Sequence, residues 1–228
     1  MKRLVVQNPA LDERGNIDEA IRHLQEWGVL EGRGDCNHAS FEALRKVVHA
    51  HFNIPWTSIT PAMERLLYAI SAVNRPRNVV AVGIFCGNTL IWNVGPACGP
   101  GKCYAAQRLI GIEVKPDRAG MARDNLRAIG VTDSVQVIAG DGHEILRQID
   151  YPIHLLYLDC DCPYKPMLDA AYDKVPQGGL VIAHNTLHKG WLKEKTSHEY
   201  LAHVRDPAVF RESVSVEPDD LGIEVSMK

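Results

Sequence analysis

The run Val79-Val80-Ala81-Val82-Gly83-Ile84-Phe85-Cys86-Gly87-Asn88-Thr89 constrains this chain more than any other stretch. A β-branched apolar segment stops at Gly83, and Gly87 follows four residues later, where a helix-like segment opens. Glycine lacks the Cβ that would collide with a ligand pressed against the backbone. A second apolar strand ends in an acid, Glu113, at the distance expected for the neighbouring strand of such a unit. Together they make the turn a candidate nucleotide site.

From Asn78 onward, strand and helix patterns alternate. Apolar runs cover Val79–Val82, Leu109–Val114, Val135–Ile138, Ile153–Leu158 and Leu180–Ala183, with helical segments between them such as Pro116–Ile129, closed by Gly130. Runs apolar on both faces and separated by helices predict a parallel sheet covered on both sides. The tail reads differently. Ser213–Val216 and Gly222–Ser226 flank Pro218-Asp219-Asp220 and predict an antiparallel hairpin.

Residues up to about 75 carry helix signals only. Asn16 is the expected cap of a first helix, with Ile17, Ala20, Ile21, Leu24 and Trp27 at helical spacing. Ser40 opens a second, with Phe41, Leu44 and Val48 on one face. Thr60-Pro61 opens a third, a cap followed by proline at the first helical position. The fold class is therefore α/β, a Rossmann-like doubly wound sheet, mostly parallel with a C-terminal antiparallel hairpin strand, preceded by N-terminal helices.

Composition narrows the function classes. With 228 residues, 46% of them hydrophobic, the chain can build one substantial core. A net charge of −3 argues against a general binder of nucleic acid or membrane surfaces. No run is long enough to span a bilayer, and Gln7-Asn8-Pro9 ends the basic-then-apolar start before a signal-peptide core forms. Six irregularly spaced cysteines fit reduced thiols and a cytoplasmic location.

Ligands of open α/β sheets sit at the carboxyl ends of the strands. Gly83 and Gly87 follow the first strand, Glu113 the second, Asp141-Gly142 the third, Asp159-Cys160-Asp161 the fourth and His184-Asn185 the fifth. A carboxylate at Glu113 can accept from both hydroxyls of a ribose, and Asp141 can accept from an adenine amino group. Each acid also has a purely structural reading as the cap of the helix that follows it. Their recurrence on consecutive strands favours the ligand reading.

These residues resemble those of the class I S-adenosylmethionine-dependent methyltransferases, most closely the catechol and caffeoyl-CoA O-methyltransferase group. The resemblance runs from about Thr60 to the C-terminus. It rests on the Val82–Thr89 turn, Gly111-Ile112-Glu113, Ala139-Gly140-Asp141-Gly142, Leu158-Asp159-Cys160-Asp161 and Gly178–Leu187. It implies a helical cover over residues 1–59 and an S-adenosylmethionine-binding domain over residues 60–228. It assigns Gly83, Ile84, Phe85, Gly87, Thr89, Glu113, Asp141, Gly142 and Asp159 to the cofactor. It assigns Asp159, His184 and Asn185 to a divalent metal that would grip an acceptor oxygen, favour its anionic form and aim it at the methyl group. The implied reaction is O-methylation of a small, phenolic acceptor by a homodimer in the cytoplasm, with no nucleic-acid or membrane partner.

The chain departs from that pattern at three places. Ala81 stands where an acid is usual. His184 replaces an aspartate ligand, so iron, manganese, zinc or cobalt would suit the site better than magnesium. Cys162 stands where many relatives place a lysine, leaving Lys165, three residues on, as the nearest candidate base. His184 thus has three readings, as metal ligand, as general base or as a structural residue at a strand end.

Two other function classes share parts of the signature. One is a nicotinamide-dependent oxidoreductase, disfavoured because Gly83-x-x-x-Gly87 lacks the Gly-x-Gly-x-x-Gly arrangement. The other binds S-adenosylmethionine without passing on a methyl group. Elsewhere, Cys98 and Cys103 read as part of a Gly/Pro-rich surface loop rather than a zinc knuckle. His49 and His51 read as helix-end residues, and Trp56 and His188 as neighbours of the acceptor pocket.

Overall fold

In the computed structural model, which describes residues 2–55, 59–187 and 191–228, the chain alternates strand and helix as its hydrophobic pattern requires. Strands β1 (Lys2–Val5), β2 (Asn78–Val82), β3 (Arg108–Glu113), β4 (Gln136–Ala139), β5 (Leu155–Leu158), β6 (Leu180–His184), β7 (Glu212–Glu217) and β8 (Ile223–Met227) form one sheet in the order β1-β7-β8-β6-β5-β2-β3-β4. Only β8 runs against its neighbours, β6 and β7. Helices α1 (Glu13–Glu26), α2 (His38–His51) and α3 (Pro61–Asn74) precede β2. Helices α4 (Asn88–Val94), α5 (Pro116–Ala128), α6 (Gly142–Gln148), α7 (Tyr164–Ala171) and α8 (Trp191–Val204) connect the strands that follow.

The period of two along each strand sorts the core into two layers. Val79, Ala81, Leu155, Tyr157 and Ile182 face one layer, with buried residues of α1 to α5. Val80, Val82, Leu156, Leu158 and Val181 face the other, with Leu146, Tyr164, Leu168, Tyr200 and Val204. Burial on both faces is why these strands read as continuous apolar runs rather than alternating ones.

The expected α/β architecture and closing hairpin are present. Several local expectations are not met. Residues 2–5 form an edge strand rather than leading into helices only: β1 pairs parallel with β7 and carries Lys2 to Glu212 at 2.8 Å and Arg3 to Glu217. A short strand with charged, half-exposed residues leaves no apolar run, so only its long-range partner reveals it. Helix α1 starts earlier than Asn16, because Asp12 accepts from the Gly15 amide at 2.7 Å and caps it; the Asn16 amide instead donates to the Asn8, Leu11 and Asp12 carbonyls. Helix α2 starts at His38, behind a left-handed Asn37. By contrast, Thr60 caps α3 as expected, accepting from Met63 N, with Pro61 at the first turn.

The Gly95–Gly101 segment is packed rather than looped over the surface. It forms two 3-10 turns with Cys98 buried, and a Cβ at Gly95 would lie 2.3 Å from Leu44 Cδ2. The residues of the expected N-terminal cover also join this core, through Ile17, Leu24, Phe41 and Leu44.

A buried ionic network ties the hairpin to α8. Glu224 is fully buried and accepts from Arg205 Nε and Nη2, both at 2.8 Å, and from the Ser213 and Ser215 hydroxyls. Removing the cation leaves an uncompensated buried carboxylate. Arg205→Ala is expected to cost about 3 kcal/mol in chemical denaturation, against less than about 1 kcal/mol for an exposed pair such as Arg211–Glu31.

Candidate functional site

The sheet reverses its winding between β2 and β5: the chain steps from β2 to β3 and β4 on one side, and β5 and β6 lie on the other. Crevices form at such switch points, outside the carboxyl ends of the strands. A cavity of about 600 Å³ occupies this place, lined by residues after all five parallel strands β2 to β6. That volume lies in the range of small-molecule sites.

The glycine turn builds one wall. Gly83 has φ +81°, and a Cβ there would lie 2.6 Å from the Asp159 carbonyl oxygen and 2.7 Å from Cys160 Cα. Phe85 follows in a left-handed conformation at φ 49°, held by its amide donating to Glu113 Oε2 at 2.8 Å. The other Glu113 oxygen accepts from Lys115 N at 3.1 Å, so this carboxylate, only 4% exposed, fixes two backbone segments at the cavity wall. Arg118 lies 5.0 Å from the Phe85 ring centroid, a cation–π contact at the same wall.

Asp141 both lines the cavity and caps α6, accepting from His143 N at 2.8 Å and Glu144 N at 3.2 Å. The structural and ligand readings of this acid are thus compatible. A Cβ at Gly142 would lie 2.6 Å from Val82 Cγ1, so the helix comes as close to the strand as a glycine allows.

Three polar side chains meet after β5 and β6. Asp159 Oδ1 lies 3.1 Å from His184 Nδ1 and 3.0 Å from Asn185 Nδ2. Both His184 ring nitrogens are buried without a well-aligned hydrogen bond, so the Asp159 approach is close but misdirected. Asn185 is held at φ 58°. The Tyr164 hydroxyl donates to the His184 carbonyl at 3.0 Å, which anchors the strand end from behind. Nearby, the hydrogen bond with Cys162 and its own burial hold the Cys160 thiol far above its ordinary pKa, so it is protonated at neutral pH.

Of the residues singled out from sequence, Gly83, Ile84, Phe85, Thr89, Glu113, Asp141, Gly142, Asp159, His184 and Asn185 all line the cavity. Gly87 and Lys165 do not. Gly87 sits behind the wall as the left-handed cap of α4, where an added Cβ would lie 3.4 Å from Ala122 Cβ. The Lys165 amine pairs with Asp169 one helical turn along α7, at 2.6 Å. His49 Nε2 hydrogen-bonds the Glu64 carboxylate on α3 at 3.1 Å. Trp56 and His188 lie outside the described residues. Ala81 is wholly buried in the sheet and offers the cavity no polar group.

Ile59 and Leu221 also line the cavity, although they come from opposite ends of the chain. The Thr60 hydroxyl donates to Asp219 Oδ2 at 2.9 Å, while Asp219 Oδ1 accepts from Leu221 N and Gly222 N. One hydroxyl therefore joins the start of α3 to the hairpin turn. No sequence signal marks that contact, because it is a long-range juxtaposition.

Comparison with known proteins relates the geometry to methyltransferases. A family model described as a methyltransferase domain matches residues 80–186. A catechol O-methyltransferase of Niastella koreensis is 26% identical over 155 residues, 66% of this chain and 67% of the relative. A catechol O-methyltransferase of Mycobacterium tuberculosis is 24% identical, the match covering 60% of each chain. The fold matches the crystal structure of an O-methyltransferase from Bacillus cereus in complex with SAH, at TM-score 0.63 and 19% identity over 83% of this chain and 91% of that one. Residues 80–186 thus match a methyltransferase domain, and the chain is similar in sequence to catechol O-methyltransferases and in fold to an O-methyltransferase.

Proposed function

We propose that the cavity methylates a hydroxyl of a small phenolic acceptor, with Asp159, His184 and Asn185 holding a divalent metal that positions the acceptor oxygen. The meeting of those three side chains at one cavity wall carries this reading. Ligand atoms about 2.1 Å from an octahedral ion stand about 3 Å apart when adjacent, which is the spacing of the Asp159 oxygen from both of its partners. Turning the Asn185 amide about its own axis would present its oxygen, and the two unsatisfied His184 nitrogens lack any other partner among the described residues. The donor set fits. A carboxylate, an imidazole and an amide suit iron, manganese, zinc or cobalt better than magnesium.

When bound, the metal would supply a positive charge that stabilises an acceptor oxyanion. The chain supplies the rest. Glu113 would receive the ribose hydroxyls in its remaining lone-pair directions. Asp141 and Gly142 would bound the adenine, and the Gly83–Phe85 turn would meet the methionine part. Ile59, Met167 and Leu221 give apolar surface for a flat ring and help exclude water. His184 is the residue within reach of Asp159 that can take the acceptor proton if no metal is present. We also infer a homodimer in the cytoplasm, checked by sedimentation equilibrium and cell fractionation.

Two measurements test the assignments. Protein purified without chelator should carry a transition-metal ion at this site, and His184→Ala should lower the metal content by about one equivalent per chain in elemental analysis. Activity that persists in full with excess chelator, in protein free of metal, contradicts the metal reading. Glu113→Gln keeps the shape but removes the charge and one acceptor for the Phe85 and Lys115 amides. It is expected to weaken S-adenosylmethionine binding by about 2 kcal/mol, measured by titration calorimetry.

A further inference from the structure

We propose that Asp18, Cys36 and His38 form a zinc site that fastens α1 to the start of α2, separate from the catalytic cavity. One carboxylate oxygen, the Cys36 sulfur and one His38 ring nitrogen all lie within 4.8 Å of one another. None of the three residues lines the catalytic cavity.

The local backbone brings the donors together. Asp18 stands on α1, Cys36 in the loop after it and His38 at the first position of α2. Between Cys36 and His38, Asn37 adopts a left-handed conformation at φ 52° and makes no side-chain cap bond to the helix it precedes. An Asn in that region costs less than most residues. The left-handed residue turns the chain, so the two flanking donors reach the same carboxylate. Cys36 is buried against the core and the His38 side chain is 11% exposed, so two of the donors are held before any ion arrives. The Asp18 side chain is 46% exposed, which leaves room for water as a fourth ligand.

The chemistry favours zinc. Sulfur, imidazole and carboxylate are its three common protein donors, arranged tetrahedrally. Bonds of about 2.0–2.3 Å set neighbouring ligand atoms about 3.3–3.8 Å apart, so donors within 4.8 Å need only modest adjustments, including a slight parting of His38 Nε2 from Asp18 Oδ1. In the present arrangement His38 Nε2 lies 2.7 Å from Asp18 Oδ1 and Nδ1 faces Arg65 Nη1 at 3.3 Å. On binding through Nε2, the imidazole proton moves to Nδ1 and the Cys36 thiol proton leaves to solvent. Arg65 then gives up the His38 contact but keeps its bonds to Glu13 and Glu42.

Cobalt(II) titration of the full chain reads thiolate coordination directly, as a near-ultraviolet charge-transfer band that zinc then abolishes by displacement. The expected band saturates at one equivalent and disappears in Cys36→Ser. In Asp18→Asn the affinity is expected to fall about 100-fold, and the band is expected to persist in the Cys160→Ser, Cys162→Ser double variant. Asp18 is exposed on α1, so its variant decides the question if Cys36→Ser fails to fold. No band in the wild type, or a band that survives both Cys36→Ser and Asp18→Asn, overturns the proposal. So does a band that depends on Cys160 and Cys162 alone.

Discussion

Gly83→Ala is expected to destabilise the protein by about 3–5 kcal/mol and to abolish measurable binding of S-adenosylmethionine. Two independent costs add at this position. Its φ of +81° is one that side-chain-bearing residues rarely adopt, and the new Cβ would lie 2.6–2.7 Å from the backbone of Asp159 and Cys160. Backbone cannot turn aside as a flexible side chain can, so the end of β5 must move. That movement carries Asp159 with it and reshapes the wall of the cavity. Gly130→Ala is the control. Gly130 also has positive φ, +71°, but a Cβ there meets nothing within 4 Å. It should cost about 1 kcal/mol and leave cofactor affinity unchanged. Thermal denaturation with calorimetric titration separates the two; equal losses in both variants would show that φ alone matters at Gly83.

Asp159→Ala is expected to lower kcat/KM for the acceptor by about 10²–10³-fold, the scale of losing one preorganised group at a developing charge. S-adenosylmethionine affinity should change by less than about tenfold, a difference of roughly 1.4 kcal/mol. The asymmetry follows from where the carboxylate reaches. Asp159 Oδ1 stands beside His184 and Asn185, whereas Glu113, Asp141 and the glycine turn line other parts of the cavity. If the residue merely held the loop in shape, Asp159→Asn would restore activity, since the amide can keep the short contacts. Recovery to within threefold of wild type would therefore assign Asp159 a structural role.

The fold was legible because its central strands are buried on both faces. Val79–Val82, Leu155–Leu158 and Leu180–Ala183 carry no polar interruption that would blur their period. Strand β1 has no readable sequence pattern for the opposite reason. Lys2 and Arg3 make it polar, and its pairing with β7 spans more than 200 residues of sequence. The Gly95–Gly101 segment reads as a loop because glycine and proline mark loops in general, whereas Gly95 and Gly101 admit Leu44 into the core.

The site divided along the same line. Cavity residues that directly follow strands were readable from the strand ends, since the topology delivers those ends to one crevice. Asp141 shows the limit, because capping α6 and lining the cavity leave the same mark in sequence. Lys165 is close to Cys162 along the chain, but helical geometry on α7 directs it to Asp169. Ile59 and Leu221 carry no local signature, because they come to the same cavity wall only through the long-range juxtaposition marked by the Thr60–Asp219 hydrogen bond.

Transfer of a ¹³C-labelled methyl group from S-adenosylmethionine to catechol, followed by NMR in wild type and Asp159→Ala, tests the central claim most directly. The expected result is a new aryl O-methyl resonance, formed in step with S-adenosylhomocysteine and slowed about 10²–10³-fold in the variant. Tight cofactor binding with no O-methyl product from catechol or other phenols, or a product rate indifferent to Asp159, would contradict it.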